Sequence, residues 1–157
     1  MPAATPPRSK VTIYTDGSCL SNPGPGGWAA ILVHDRTGAT KEISGGEAHT
    51  TNNRMELTAA IKAFQALNRP TQTDMYTDST YLQNAFVKGW LKSWQERGWR
   101  KADKKPVENA DLWQELLKAT AAHTISWHHV KAHAGHAYNE RCDELAKEQA
   151  THYQQGH

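Results

Sequence analysis

The chain has 157 residues, which is enough for one domain with a single hydrophobic core and too few for a second full domain. The formal net charge is only +2, and six Trp and five Tyr add apolar surface, so the composition excludes a disordered chain. The longest apolar run, over 28–33, falls far short of the ~20 residues that span a bilayer, which excludes a membrane helix.

Both ends of the chain are predicted to lie outside the folded domain. Residues 1–9 contain three prolines and no apolar stretch, so we interpret them as a disordered leader rather than a secretion signal. Residues 151–157 are predicted to form a flexible tail. Two cysteines, Cys19 and Cys142, are too few for the disulfide framework of a short secreted chain, so reduced thiols and a cytoplasmic location are expected.

The N-terminal half predicts three strands, a helix and a fourth strand. Apolar and polar residues alternate over 11–15, and this strand is expected to stop at a turn over 16–18. Strands over 28–34 and 39–44 follow, joined by a turn over 35–38, so the first three strands are expected to be antiparallel. The spacing of Leu57, Ile61, Phe64 and Leu67 predicts an amphipathic helix from Asn53 that ends before Pro70, and a strand over 74–77 comes next.

The C-terminal half predicts four helices and one strand. Ser79 is a helix N-cap residue, and helices are predicted over 80–88, 90–97, 110–120 and 139–150. The alternating segment 123–130 is predicted to be a strand with Ile125 and Trp127 on one side of the sheet. This order of elements predicts an α/β fold, a five-stranded mixed sheet with helices on both faces.

Four acidic residues lie at the ends of predicted elements. Asp16 ends the first strand, Glu56 lies in the opening turn of the first helix, Asp78 ends a strand, and Asp143 lies in the first turns of the last helix. Each one alone is explained by the dipole at a helix N-terminus. Together they suggest a ligand site, because ligands of open α/β sheets bind beyond the carboxyl ends of the strands.

Four carboxylates at one place repel each other unless cations share the site. Oxygen ligands favour a hard ion, so the sequence predicts Mg²⁺ or Mn²⁺ and disfavours zinc.

Four motifs give the chain a recognisable resemblance. They are TDGSCLSNPGPGGW over 15–28, TNNRMEL over 51–57, YTDS over 76–79 and HAGHAYNERCD over 133–143. In this order, and with these elements between them, they closely resemble a bacterial type 1 ribonuclease H over about residues 10–150.

The resemblance implies a ribonuclease H-like fold, with 10–150 as the catalytic domain and a basic protrusion over about 88–105. The implied activity is endonucleolytic hydrolysis of the RNA strand of RNA–DNA hybrids with two Mg²⁺ ions, leaving 5′-phosphate and 3′-hydroxyl ends. Mn²⁺ is expected to substitute for Mg²⁺, and the enzyme is expected to be a monomer. By matching position, Asp16, Glu56, Asp78 and Asp143 are the metal-binding carboxylates, and His133 is the mobile proton-handling histidine.

Several polar and basic residues are candidates for contact with the hybrid. Short polar side chains flank the acids, and amide groups can both donate to and accept from the two backbones. Segment 88–105 carries seven basic and two acidic residues, a net charge of +5, together with Trp90, Trp94 and Trp99. The candidate nucleic-acid-binding residues are Asn22, Thr51, Asn52, Asn53, Trp90, Trp94, Lys101, Lys104 and Lys105.

Some of the candidate contacts can instead be explained by a role in the fold itself. Asn52 and Asn53 are also typical helix-capping residues, and Trp94 could pin its helix to the core. Gly24, Gly26 and Gly27 are expected to let the backbone turn or approach nucleic acid closely.

The chain also departs from the family pattern at four positions. Thr80 replaces a frequent glutamine, Gln95 and Glu96 replace lysine, and Ala132 replaces glycine. The changes at 95 and 96 should weaken hybrid affinity.

Three other functions remain open at the level of sequence. A zinc protein would use His129, His133, His136 and Cys142, although this leaves the four acids without a role. A module that binds hybrid without cutting it is disfavoured because all four carboxylates are present. A nuclease of the same fold that cuts DNA is distinguished only by a panel of substrates.

Overall fold

The computed structural model describes residues 9–130 and 137–154. Its strands are β1 (Ser9–Cys19), β2 (Gly24–His34), β3 (Thr40–Thr50), β4 (Thr71–Thr77) and β5 (Thr124–His129). Its helices are α1 (Asn52–Gln65), α2 (Thr80–Val87), α3 (Trp90–Glu96), α4 (Ala110–Thr120) and α5 (Ala137–Gln154). The order of elements along the chain is the predicted one.

The five strands form one mixed sheet in the order β3-β2-β1-β4-β5. The hairpin neighbours β1/β2 and β2/β3 are antiparallel, whereas β1/β4 and β4/β5 are parallel. Tyr14 of β1 lies opposite Tyr76 of β4 in the parallel pair. The carboxyl ends of these two strands therefore open onto the same edge of the sheet.

Helices cover both faces of the sheet, as predicted. On one face, Ile13, Leu32 and Met75 pack against α1 and α4, where Phe64 and Trp113 are fully buried. On the other face, α5 packs on β1, β2 and β3 through a smaller apolar cluster. Ile125 and Trp127 lie together on the first face, as expected from their alternation.

Several predicted boundaries are wrong. The turn over 16–18 is strand instead, because Gly17 pairs with Trp28 and the antiparallel ladder continues to Cys19. The second strand accordingly begins at Gly24 rather than at residue 28, and the third continues to Thr50. Residues 151–154, predicted as the start of a flexible tail, belong to α5, which continues to Gln154 with Ala150 fully buried; residues 155–157 lie outside the described residues.

Gly27 serves packing between helix and sheet. A Cβ atom at this position would collide with the backbone of α5 at Ala146 and Ala150, so α5 can lie on β2 only where the side chain is absent. Close approach to α5, rather than to nucleic acid, thus accounts for this glycine.

Both cysteines are free thiols, as expected. Within 9–130 and 137–154, no helix is long and apolar enough to cross a membrane.

Candidate active site

Three acidic side chains from three elements meet at the carboxyl edge of β1 and β4. Asp16 lies near the end of β1, Asp78 directly follows β4, and Glu56 lies in the second turn of α1. One carboxylate oxygen from each lies within 4.8 Å of the other two. Among residues 9–130 and 137–154, this is the only cluster of three or more His, Cys, Asp or Glu side chains close enough to share an ion.

Gly17 lets α1 approach β1 at this edge. A Cβ atom at Gly17 would lie 2.6 Å from the backbone nitrogen of Glu56 and 2.7 Å from the carbonyl carbon of Met55. The Gly17 N–H donates to Oδ1 of Asp16 at 2.9 Å and to Oε1 of Glu56 at 3.1 Å. A glycine directly after an acid at a strand end is the sequence signal for this close approach. The sequence alone does not reveal that the Gly17 N–H donates to both carboxylates.

Side chains of the TNNRMEL motif fix the start of α1. The Thr51 hydroxyl caps the helix by accepting from the Arg54 N–H at 3.2 Å. Oδ1 of Asn22 accepts from the Asn52 N–H at 3.1 Å, which ties the loop after β1 to the same helix end. Asn52 and Asn53 themselves are exposed beside the acids.

Asp143 of α5 lies beside the three acids, outside the group whose carboxylate oxygens all lie within 4.8 Å of one another. Its neighbour Cys142 is buried, and the Cys142 thiol donates to the Tyr14 carbonyl oxygen at 3.4 Å, which brings this turn of α5 against β1. The charge of Asp143 acts on Asp16 and contributes to the raised pKa of the Asp16 carboxyl. On its other side, Asp143 Oδ2 lies 2.9 Å from Nζ of Lys147, one helical turn later. The i, i+4 spacing of Asp143 and Lys147 in the sequence is the signal for this pair.

Burial and the charges of neighbouring acids make Asp16 and Glu56 hard to ionise. Burial, followed by the charges of Asp78 and Asp143, raises the pKa of Asp16 to about 7. Burial, followed by the charges of Asp16 and Asp78, also holds the pKa of Glu56 well above its usual range. Oε2 of Glu56 is buried and receives no hydrogen bond from any donor among the described residues. A buried, unsatisfied carboxylate oxygen beside two other acids fits a divalent cation.

The zinc alternative finds no support in the described residues. Burial strongly raises the pKa of the Cys142 thiol, which disfavours the thiolate that zinc requires. His133 and His136 lie outside the described residues, as does the departure from the family at Ala132.

The basic segment 88–105 forms α3 and the loop that follows it. All seven of its Lys and Arg residues are exposed, including Lys101, Lys104 and Lys105. The loop is held by backbone bonds, such as Lys101 N–H to the Lys105 carbonyl oxygen at 2.8 Å, and by Nη1 of Arg100 donating to the Lys104 carbonyl oxygen at 3.0 Å. The segment therefore presents its positive charge from a structured loop.

The two candidate tryptophans of α3 differ in their surroundings. Trp90 is 38% exposed and has Nζ of Lys88 6.0 Å from its ring centroid. Trp94 is half-buried, with its ring 5.6 Å from that of the buried Trp113. Trp94 thus packs partly against the core, while Trp90 keeps more free surface; contact of either ring with nucleic acid stays a prediction.

Comparisons with known proteins agree on one family. A family model described as RNase H matches residues 8–151. The Ribonuclease H of Thermus thermophilus is 56% identical over 147 residues, which cover 92% of this chain and 86% of that protein. The crystal structure of LC9-RNase H1, a type 1 RNase H with the type 2 active-site motif, has a TM-score of 0.84 at 33% identity and covers 96% of this chain and 76% of that one. LC11-RNase H1 in complex with RNA/DNA hybrid has a TM-score of 0.64 at 23% identity, covers 90% and 97% of the two chains, and shows the same fold.

Proposed function

The chain belongs to the ribonuclease H family of enzymes, and on that premise we propose that it is an endonuclease that hydrolyses the RNA strand of RNA–DNA hybrids. The observation that carries the proposal is the meeting of Asp16, Glu56 and Asp78, whose carboxylate oxygens lie within 4.8 Å of one another. Asp143 of α5 lies beside this group and interacts with Asp16. Acids so far apart in the sequence have no structural reason to share one edge of the sheet.

These four acids are proposed to hold two Mg²⁺ ions, with Mn²⁺ as a substitute. Asp16 is close to the other acids and would contribute ligands to both ions, with Glu56, Asp78 and Asp143 providing the rest. Divalent cations held here would neutralise the phosphate charge and activate the attacking water. The unsatisfied Oε2 of Glu56 supports this assignment. The expected products carry 5′-phosphate and 3′-hydroxyl ends.

His133 is proposed to handle the proton of the reaction. An imidazole with an ordinary pKa near 6.5 takes up and releases protons at working pH. The residue lies between β5 and α5, and α5 also carries Asp143.

Recognition of the hybrid is proposed to use two surfaces. Asn22, Thr51, Asn52 and Asn53 surround the first turn of α1, next to Glu56, where short polar groups suit the reading of 2′-hydroxyls. The exposed Lys101, Lys104 and Lys105, with Trp90, are proposed to contact the backbone of the DNA strand. A monomeric state and a cytoplasmic location stay predictions.

A panel of labelled substrates tests the proposal. RNA–DNA hybrid, RNA duplex, DNA duplex and single-stranded RNA are incubated with the protein and Mg²⁺, beside Asp16→Asn. We expect cutting of the RNA in the hybrid alone, inhibition by a chelator, restoration by Mg²⁺ or Mn²⁺, and loss of activity in Asp16→Asn. Glu108→Gln, which changes an exposed acid outside the cluster, is the matched control and should remain active. Equal cutting of all four substrates, or full activity of Asp16→Asn, would contradict the proposal.

A further inference from the structure

A row of aromatic rings crosses the sheet on the face where α5 lies. The Tyr138 ring in the first turn of α5 lies 5.0 Å from the Tyr14 ring of β1, measured between centroids. Tyr14 stacks on Tyr76 of β4 at 5.1 Å, and Tyr76 stacks on His128 of β5 at 4.6 Å. The row thus joins α5 to three strands. Of the elements it joins, β1 and α5 carry acids of the candidate active site, and β4 leads directly into a third.

Two of these rings belong to residues that precede an acid of the candidate active site by two positions in the sequence. Side chains of a strand alternate between faces, so Tyr14 and Asp16 lie on the same side of β1, about 7 Å apart along the strand. Tyr76 precedes Asp78 by the same two residues. The stacked pair Tyr14–Tyr76 therefore packs the two strands together one step before the point where their acids meet.

Helix α5 contacts Tyr14 at two points. The Tyr138 ring packs on the Tyr14 ring, and one helical turn later the Cys142 thiol donates to the Tyr14 carbonyl oxygen at 3.4 Å. Two contacts on the same residue fix both the position and the rotation of this part of the helix. Asp143 follows Cys142 directly, so these contacts determine where its carboxylate lies relative to Asp16.

The remaining length of α5 is held by other contacts. Ala146 and Ala150 are fully buried against β2, and Nε of Arg141 donates to Oε2 of Glu42 at 2.9 Å. The Tyr153 ring packs on Gly46 of β3 near the C-terminal end of the helix. Loss of the Tyr138 ring should therefore loosen the first turn of α5 and leave the helix docked. Tyr138 is also 38% exposed, so its removal opens little of the core.

We infer that Tyr138 is a positioning residue for metal binding: the packing of its tilted ring against Tyr14 holds Asp143 at the distance from Asp16 at which the two acids can share cations. The inference deepens the proposed function and rests on it. Tyr138 itself need not touch the hybrid. Its effect passes through Asp143.

The test compares Tyr138→Ala with Tyr138→Phe in two measurements. One is calorimetric titration of the nucleic-acid-free protein with Mn²⁺, and the other is the Mg²⁺ concentration at half-maximal cleavage of hybrid. An aromatic pair contributes about 0.5–1.5 kcal/mol beyond burial, which corresponds to roughly 2- to 12-fold weaker metal binding for Tyr138→Ala. Both midpoints should rise by that factor. Tyr138→Phe keeps the ring and should stay within about twofold of the unmodified protein.

Two controls separate positioning from general loosening of the helix. Tyr153→Ala removes an aromatic ring from the opposite end of α5 and should leave the metal midpoints unchanged. In an Asp143→Asn background, Tyr138→Ala should have no further effect on Mn²⁺ binding, because its action passes through that carboxylate. If Tyr138→Ala does not fold, Tyr138→Leu, which removes the aromatic pair but retains apolar volume, is measured in its place and should also raise both metal midpoints.

Three results would overturn the inference. Unchanged metal midpoints with a raised KM for hybrid would make Tyr138 a substrate contact. If Tyr138→Ala and Tyr153→Ala raise the metal midpoints equally, Tyr138 only stabilises α5. If Tyr138→Ala weakens Mn²⁺ binding as much in the Asp143→Asn background as in the unmodified protein, its effect does not act through Asp143. If the unmodified protein fails to cut hybrid, the proposed function fails, and the Mn²⁺ titrations still decide the role of Tyr138.

Discussion

Gly17 shapes the candidate active site without a side chain of its own. Its backbone N–H binds Asp16 and Glu56 together, and the missing Cβ admits the backbone of α1 to β1. The same geometry withdraws both carboxylates from water, which is the main cause of their raised pKa values. At the scale of single residues, the metal-free site is therefore a source of instability.

Asp16→Asn is expected to stabilise the metal-free protein in a pH-dependent way. Because the pKa of Asp16 is raised to about 7 in the folded chain, that chain binds more protons than the unfolded chain between about pH 4 and about pH 7. The free energy of unfolding should therefore fall as pH rises through this window. The neutral amide of Asp16→Asn avoids this loss. The free energy of unfolding of the variant should therefore exceed that of the unmodified protein by roughly 1–3 kcal/mol at about pH 8 and should not exceed it near pH 4.

Urea unfolding in the presence of a chelator, at several pH values, measures this difference. Glu108→Gln is the control, and its stability should follow that of the unmodified protein across the range. If Asp16→Asn is no more stable than the unmodified protein at about pH 8, the charge of Asp16 does not destabilise the metal-free fold and the prediction is wrong.

At the scale of elements, the contact between α5 and β2 depends on the absence of a side chain at Gly27. A Cβ there would collide with backbone atoms of Ala146 and Ala150, which cannot move without shifting the whole helix. Helix α5 also carries Asp143, so its docking affects both stability and the site.

Gly27→Ala is expected to destabilise the fold by roughly 2–4 kcal/mol and to weaken divalent-metal binding. Thermal unfolding and Mn²⁺ titration check the two effects. Gly38→Asn is the control, because no atom lies within 4 Å of a Cβ at Gly38 and asparagine tolerates its positive φ of 73°. If Gly27→Ala unfolds at the same temperature as Gly38→Asn, Gly27 is not required for packing between α5 and β2.

The elements were largely predictable where local signals determine them. The Ser79 cap and the apolar stripe of α4 placed those helices correctly, because each signal lies within the element. The turn predicted over 16–18 failed because DGS is locally a turn sequence, whereas the ladder with β2 holds it extended. The role of Gly27 was not predictable, because it depends on a helix more than 110 residues away.

At the scale of the whole molecule, positive charge is concentrated in one segment of the chain. Segment 88–105 carries a net charge of +5 on a chain whose total is only +2, so the remainder is net negative. All of its basic side chains are exposed, which makes the segment the main candidate for electrostatic contact with nucleic acid. The four acids could be proposed as one site from sequence motifs, but the burial of Glu56 required the assembled fold.

The triple substitution of Lys101, Lys104 and Lys105 by Gln is expected to weaken hybrid binding and to reduce its salt dependence. Each lost phosphate contact lowers the slope of log K against log salt by about 0.7–0.9, so three should lower it by roughly 2–3. The value of kcat at saturating hybrid should stay within about twofold. Binding isotherms over a range of salt, with single-turnover rates, measure both.

The control is a second triple substitution by Gln of Lys41, Lys62 and Lys118, which are exposed outside the segment. An unchanged slope in the first variant, or an equal change in the control, would show that these lysines do not face the hybrid.

The order of strands in the sheet also bears on how the protein folds. β1 meets β2 through a short local connection, but its parallel pairing with β4 requires closure of a loop that contains β2, β3 and α1. Asp16 and Asp78 can approach each other only once that loop has closed, so their repulsion opposes a late step of folding rather than the formation of the first hairpin. Cations that relieve it are accordingly expected to slow unfolding more than they accelerate folding.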